Sequence, residues 1–163
     1  MVKESRPNKS SMDIHEAILE VFNVLRERID AEKVMLSSTF ATDALIVSGD
    51  RILLQQVVMN LLTNALEAMS DMEEREKCIA VQTHIDEHHM VWVSVSDTGR
   101  GISDEIAAHI FDSLATTKGY GMGMGLSICK SIVEAHDGKI EVCSAGAAGA
   151  SFRFSVPIWC NFK

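Results

Sequence analysis

Apolar residues recur at helical spacing in three long segments of the chain. The first segment follows Asp13, the second follows Asp50, and the third runs from about Gly123 to His136. Such spacing gives a helix one buried face, so we predict three helices, the second with the apolar stripe Leu54, Val57, Leu61, Ala65 and Ala68. Asp50 is the predicted N-cap of the second helix. His136, in the last turn of the third, faces the negative end of the helix dipole, and this position suffices for a structural role.

Strand-like patterns predict two hairpins in the rest of the chain. Residues 78–85 and 90–96 flank the polar turn DEHH, and residues 139–144 and 151–157 flank the small-residue turn AGAAGA. Between the first two helices lie two shorter strand candidates, VMLSSTF and ALIVS. Helices and antiparallel strand pairs in these proportions predict an α+β sandwich in which one sheet is covered on one face.

Composition limits the domain organisation and the partners. The 163 residues are 47% hydrophobic, enough for one core, and we expect one domain over residues 12–158, with a linker at 1–11 and a tail at 159–163. A formal net charge of −8 argues against direct contact with nucleic acid or an anionic membrane. Four scattered cysteines indicate reduced thiols and a cytoplasmic setting. No segment is long enough to span a bilayer, so we expect any membrane anchor of the parent protein elsewhere.

Two asparagines lie four residues apart in the second predicted helix. Asn60 and Asn64 therefore share one edge of that helix, beside its apolar stripe. An amide oxygen is a hard, neutral ligand that suits Mg²⁺ already carrying phosphate oxygens and water. The spacing also fits two solvent-facing asparagines, and taken alone the pair favours this simpler interpretation.

The sequence DTGRGI, residues 97–102, follows the second strand of the first predicted hairpin. The carboxylate of Asp97, at the end of a half-buried strand, would accept a hydrogen bond from the exocyclic amino group of adenine. Gly99 and Gly101 would let the backbone approach a flat base, and Ile102 would supply an apolar surface. An Asp-Thr-Gly turn without a ligand is the alternative.

Glycines alternate with other residues just before the third predicted helix, at positions 119, 121, 123 and 125. The run matches neither Gly-x-Gly-x-x-Gly nor the P-loop pattern. Its backbone N–H groups and the positive end of the helix dipole would still suit phosphates. A flexible linker is the alternative, although linkers rarely lead into an amphipathic helix without a break.

Taken in order, these three segments resemble the ATP-binding domain of sensor histidine kinases, in the superfamily that includes DNA gyrase, a heat-shock chaperone and mismatch-repair ATPases. The segments NALEAM, TTK and GMGLSICKSIVEAHDGKI are most similar to nitrogen-regulation and oxygen-sensing kinases. The resemblance covers residues 12–158. It implies a two-layer α/β sandwich of the Bergerat type, with a mixed sheet and three main helices on one face.

The resemblance also implies roles for individual residues in binding ATP or ADP with Mg²⁺. Asn64 would ligate Mg²⁺, Asn60 would contact phosphate or metal beside it, and Lys118 would contact the γ-phosphate. Asp97 would bind the adenine amino group. The other implied nucleotide contacts are Gly99, Gly101, Ile102, Ile110, Phe111, Thr117, Gly121, Met122, Gly123, Met124, Gly125, Leu126 and Ser151.

The implied function is transfer of the ATP γ-phosphoryl group to a histidine on a separate dimerisation domain, and from there to a response regulator. Asn60 stands where related ATPases carry a water-activating glutamate, and an amide is no base, which favours a kinase. Ser113, Leu114 and Ala115 replace a usual Pro-Phe-Phe, so a regulatory pseudokinase that only binds nucleotide is the alternative. His15 lacks the downstream proline of a phosphoacceptor, and we expect it on the helix surface.

Overall fold

The computed structural model describes residues 6–73, 75–112, 123–146 and 148–161. Within these ranges the chain folds into helices and strands in this order: β1 Ser10–Asp13, α1 Ile14–Ala31, β2 Met35–Thr39, β3 Ile46–Gly49, α2 Arg51–Met69, β4 Cys78–Ile85, β5 Met90–Asp97, α3 Asp104–Ala107, α4 Gly123–Ala135, β6 Ile140–Gly146 and β7 Gly149–Pro157. The three long helices and both predicted hairpins are confirmed.

Five of the strands form one mixed sheet in the order β2-β4-β5-β7-β6. The two hairpin pairs, β4 with β5 and β6 with β7, are antiparallel, and so is the central pair of β5 with β7. Strand β2 joins the edge of β4 in parallel, because α2 carries the chain over the sheet before β4 begins. The two hairpins therefore lie side by side and bring the end of β5 next to the start of β7.

One face of the sheet packs against α1, α2 and α4, and the core lies between these two layers. Side chains alternate between the faces of a strand, so every second residue of β5 and β7 enters the core. Val93 and Phe154 of the sheet and Ile18, Leu62 and Leu126 of the helices are all fully buried. The fold is the predicted α+β sandwich with helices on one face.

The helices α2 and α4 are joined at the amino end of α2. Asp50 is the N-cap, as predicted, and its carboxylate accepts a hydrogen bond from the Leu53 N–H at 3.3 Å. Its own N–H donates to His136 Nε2 at 3.0 Å, and His136 Nδ1 donates to the carbonyl oxygen of Ile132 at 2.7 Å. Since one ring nitrogen accepts and the other donates, His136 is the neutral imidazole, with both nitrogens paired.

The polar segment before α1 forms a strand that the sequence pattern does not predict. Strand β1 pairs antiparallel with β3 in a separate two-stranded sheet and begins two residues before the expected start of the domain. The sequence SSMD has no apolar alternation, so this strand depends on the backbone of β3. At the opposite end of the chain, Trp159 N–H donates to the Ile46 carbonyl at 2.9 Å, which ties the expected tail to the same strand.

Candidate functional site

The candidate site lies along one edge of α2. Asn60, Asn64 and Ala68 are spaced one turn apart and so line up on that edge. Asn60 is half-buried, whereas Asn64 is buried, with 8% of its surface exposed. The Nδ2 atom of Asn64 is buried and has no hydrogen-bond partner. Asn64 therefore does not face solvent, which argues against the simpler interpretation of the pair as two solvent-facing asparagines.

Beyond Asn64, the loop after β5 lies against this edge of α2. Arg100 N–H donates to the Ala68 carbonyl at 3.3 Å. A Cβ added at Gly99 would lie 2.8 Å from the same oxygen, closer than real Cβ atoms approach, so no larger residue fits unless the loop moves. Gly101 has φ +77°, a conformation that favours glycine. Both glycines of the predicted base-binding turn are thus required by the local geometry.

Asp97 ends β5 on the face of the sheet that the helices cover. Its carboxylate accepts a hydrogen bond from Gly99 N–H at 2.8 Å and another from the backbone of Ala150. Burial nonetheless raises the pKa of this carboxyl above its ordinary value, because the backbone donors only partly offset the loss of water. A partly buried carboxylate is a suitable acceptor for a ligand N–H group.

Gly149, at the start of β7, is a site residue that the sequence analysis missed. Its φ is +120°, and an added Cβ would lie 2.0 Å from the Asp97 carbonyl oxygen and 3.2 Å from Thr98 Cα. Glycine is needed here because the two strands approach closely behind the carboxylate. The signal in the sequence was a glycine within the run AGAAGA, which we interpreted only as a turn.

Four apolar residues of the predicted site lie in or against the main core. Ile102, Ile110 and Leu126 are buried in the main core, at 8%, 5% and 0% exposure. Phe111 is half-buried and packs edge-on against Phe152, with ring centroids 6.3 Å apart. The structure therefore places three of these residues in the core and Phe111 against it.

Ser151 is the predicted site residue that the structure places apart from Asp97. Its hydroxyl lies 2.8 Å from that of Ser96, its partner across β5 and β7. Since the neighbouring Val95 and Phe152 are buried in the core, Ser96 and Ser151 face the other side of the sheet. The side chain of Ser151 and the carboxylate of Asp97 thus lie on opposite faces.

The glycine-rich segment is described only from Gly123, where α4 begins. Gly123 and Met124 form the first residues of that helix, and Gly125 packs against Asn60, whose Nδ2 donates to the Gly125 carbonyl at 3.3 Å. The remaining predicted residues of this segment, Thr117, Lys118, Gly121 and Met122, lie outside the described residues.

The expectation for His15 is wrong, because this residue is buried, with 2% of its surface exposed. Its ring stacks on Phe40 at 4.1 Å between centroids, and its Nε2 lies 2.8 Å from the Thr83 hydroxyl. Burial lowers the pKa of this histidine, although the nearby Asp13 carboxylate partly opposes the shift. The apolar spacing of α1 predicted the centre of its buried face correctly. The buried face is wider than this spacing indicated, and it includes His15.

No group of three or more His, Cys, Asp or Glu side chains is placed to hold a metal ion in the described part of the chain. A cation at this site would need other ligands. The amide oxygens of Asn60 and Asn64 are of the type that Mg²⁺ accepts alongside phosphate oxygens and water. In the same described ranges, no helix is long and apolar enough to cross a membrane.

The two-layer sandwich, with a partly buried carboxylate after β5 and two amides on one edge of α2, matches the kind of domain implied by the sequence. Residues 49–159 match the family model of histidine kinase-, DNA gyrase B- and HSP90-like ATPases. The chain belongs to this family.

Sensor proteins are among the relatives of the chain. It is 42% identical over 126 residues to Sensor protein FixL of Bradyrhizobium diazoefficiens, a match that covers 77% of this chain and 25% of FixL. It is 34% identical to the C4-dicarboxylate transport sensor protein DctS of Rhodobacter capsulatus, over 96% of this chain and 24% of DctS. The chain thus spans about a quarter of the length of these curated relatives.

Solved structures agree with this assignment. The catalytic domain of histidine kinase ThkA, in a nucleotide-free form, superimposes with a TM-score of 0.82 and 32% identity, over 93% of this chain and 96% of that domain. A second structure holds ThkA in complex with the response regulator protein TrrA, with a TM-score of 0.79 and 29% identity, over 94% of this chain and 42% of the matched chain. The chain therefore has the fold of a histidine kinase catalytic domain.

Proposed function

We propose that this chain binds ATP as its Mg²⁺ complex and delivers the γ-phosphoryl group to a histidine on a separate dimerisation domain of the parent protein. One observation carries the proposal: a single edge of α2 aligns Asn60, Asn64 and the Asp97 loop. A ligand that spans this edge would meet a partly buried carboxylate at one end and two amides at the other. ATP has the matching chemistry, with a base amino group at one end and phosphates at the other.

The Asp97 loop forms the adenine end of the proposed site. The amino group of adenine would donate to the partly buried carboxylate of Asp97, whereas guanine carries a carbonyl oxygen at that position. The close approach of Gly99 to α2 leaves no side chain between loop and helix. Ile102 and Ile110, both buried, would provide the apolar contact that a planar base requires.

The two asparagines form the phosphate end. The unpaired, buried amide of Asn64 lacks a partner that a ligand would supply, and rotation of the amide would present its oxygen to a cation. When bound, Mg²⁺ would neutralise charge on the phosphates and orient them. From the sequence we add Thr117, Lys118 and the glycines at 121, 123 and 125 as phosphate contacts.

Transfer rather than hydrolysis is the proposed reaction. Asn60 is an amide and cannot remove a proton from water at neutral pH. His15 cannot be the phosphoacceptor in this fold, because it is buried between Phe40 and Thr83. The attacking imidazole would therefore come from the dimerisation domain, with a response regulator as the final acceptor, consistent with the complex of ThkA with TrrA.

The test is transfer of label from γ-³²P-ATP to the histidine-bearing dimerisation domain of the parent protein, added in trans. We expect label on that domain, little ATP hydrolysis, and no label on this chain. Asn64→Ala should abolish transfer, whereas Asn23→Ala, an exposed asparagine of α1, should not. If the chain binds ATP but labels nothing, the regulatory pseudokinase becomes the better explanation.

A further inference from the structure

The orientation of the Asn60 amide is fixed by α4. Its Nδ2 lies 3.3 Å from the carbonyl oxygen of Gly125 and 3.5 Å from the Sγ of Cys129. A carbonyl oxygen can only accept, so the amide atom that faces it must be the donor, Nδ2. The amide oxygen, Oδ1, is therefore turned away from α4. Asn60 thus offers an acceptor, and not a donor, to a ligand.

Cys129 is suited to hold this orientation. It is fully buried, and its Sγ also lies 3.9 Å from the carbonyl oxygen of Val57, one turn before Asn60 in α2. Among the described residues the S–H group donates to the Val57 carbonyl, which leaves the sulfur lone pairs for the Asn60 N–H.

We propose that Cys129 is a positioning residue for the cation of the bound nucleotide: its sulfur holds the Asn60 amide so that Oδ1 faces Mg²⁺ or a water bound to it. This role rests on the proposed function, in which Asn64 is the direct ligand. The Asn60 Nδ2 is already engaged by α4, so a direct contact from Nδ2 to a phosphate oxygen would require the amide to turn.

The sulfur of Cys129 is important because the other hydrogen bond of the Asn60 amide, to the Gly125 carbonyl, is weak. The bond to Gly125 is 3.3 Å long, at the outer end of the range for N–H···O bonds. The terminal torsion of asparagine has a broad energy profile, so a single weak bond restrains it poorly. An amide that turned over would point an N–H group at the cation, which is unfavourable. Loss of the sulfur should therefore weaken cation binding more than nucleotide binding.

The experiment compares ADP affinity with and without Mg²⁺, by calorimetry, for the wild-type chain, Cys129→Ala and Cys129→Ser. The wild type should bind ADP more tightly with Mg²⁺. In Cys129→Ala this enhancement should fall by roughly 3- to 10-fold, while metal-free ADP affinity changes less than about twofold. Cys129→Ser keeps a small group that both accepts and donates, and it should restore most of the enhancement. Cys143→Ala, at an exposed cysteine of β6, is the control.

The side-chain amide resonances of Asn60 provide a second measurement, made without nucleotide. They should shift in Cys129→Ala and return toward the wild-type position in Cys129→Ser. Equal loss of ADP affinity with and without Mg²⁺ would mean that Cys129 only supports packing, and an unchanged enhancement in Cys129→Ala would also overturn the proposal. If the wild type binds no ADP at all, the proposed function itself fails, and this outcome is distinct from both.

Discussion

The helix α2 meets its surroundings differently at its two ends. At the amino end, Asp50 N–H donates to His136, and the other ring nitrogen of His136 donates to Ile132, so the buried histidine is fully paired. Toward the carboxyl end, Asn64 is buried with an unpaired Nδ2, and the nearby Asp97 carboxylate has a raised pKa because it is partly buried. The buried histidine at the amino end has all its hydrogen-bond partners without a ligand, whereas the buried amide of Asn64 does not.

This difference separates the residues that hold the fold from those that we assign to the ligand. A buried polar group without a partner destabilises a protein by about 1–3 kcal/mol, and an ionised group by more. The same unpaired groups can be satisfied when a ligand arrives. We therefore expect substitutions at the amino end of α2 to lower stability with little effect on ADP binding. Substitutions at Asn64 and Asp97 should weaken ADP binding without lowering stability.

The largest effect should come from His136→Ala. This change leaves a cavity in the core and removes the partner of the Asp50 N–H, while the Ile132 carbonyl keeps only its bond from the backbone N–H of residue 136. We expect the free energy of unfolding to fall by about 2–4 kcal/mol. ADP affinity, measured on the folded variant, should stay within about twofold of wild type. Urea titration and calorimetry give the two quantities.

The control for this variant is His88→Ala, at a histidine whose side chain is 78% exposed and which should change stability by less than about 0.5 kcal/mol. A large loss of ADP affinity in folded His136→Ala would contradict the comparison. It would mean that the paired end of α2 transmits its geometry to the site.

Asp97→Asn should produce the opposite pattern. We expect ADP affinity to fall roughly 10- to 100-fold, because the charged acceptor of the adenine amino group is lost. The melting temperature should stay equal or rise, since at neutral pH the wild type holds a partly buried carboxylate whose ionised form is disfavoured. Asp30→Asn, at an exposed aspartate of α1, is the matched control and should change neither quantity.

The pH dependence of binding provides an independent test of Asp97. Because burial raises the pKa of this carboxyl, it becomes protonated at a higher pH than an ordinary aspartate. ADP affinity of the wild type should therefore decrease as the pH falls toward that raised pKa, and Asp97→Asn should lack this decrease. A wild-type affinity that is independent of pH down to the ordinary aspartate range would contradict the assigned role.

Much of this site could be predicted from the sequence because its signals are local. The Asn60 and Asn64 pair depends on helical spacing alone, and Asp97 with its glycines depends on a strand followed directly by a turn. Gly149 and Cys129 could not be found in this way. Gly149 matters because it lies against Asp97, and Cys129 because it touches Asn60, and both contacts join residues far apart in the sequence.

In the fold, too, features that depend on residues far apart in the sequence could not be predicted. Periodic apolar residues predict α1, α2 and α4, since each helix buries its own face against the core. Strand β1 has no such pattern and exists because β3 supplies hydrogen-bond partners. His136 was placed correctly at the end of α4, but the spacing could not reveal that it accepts a bond from Asp50, the N-cap of another helix.

A smaller effect should follow from Asn64→Leu, which replaces the unpaired amide by an apolar group with the same number of heavy atoms. The variant should be as stable as wild type or more stable, by up to about 1 kcal/mol, because the orphaned Nδ2 is removed. The Mg²⁺-dependent part of ADP affinity should be lost. Asn23→Leu, at an exposed position of α1, serves as the control. Marked destabilisation by Asn64→Leu would show that the amide is paired in solution and that no ligand is needed to satisfy it.

The smallest effect concerns His15, which has a buried Nδ1 without a partner yet lies outside the proposed site. Burial lowers its pKa in the fold, so between the ordinary value and the lowered one the unfolded chain binds a proton that the folded chain does not. Stability should therefore decrease as the pH falls below about 6.5, the ordinary histidine value. Above that pH this residue should contribute no pH dependence.

His15→Gln should reduce this decrease by less than about 1.4 kcal/mol per pH unit, the limit for one proton, while His88→Gln leaves it unchanged. Urea titrations at pH 7.5 and 5.5 measure the difference. ADP affinity at pH 7.5 should be the same in wild type and His15→Gln, since the ring contacts Phe40 and Thr83, which are not among the proposed nucleotide contacts. An altered ADP affinity would show that an unpaired buried atom does not by itself distinguish the ligand site from the core, and the comparison between the two ends of α2 would then rest on Asp97 alone.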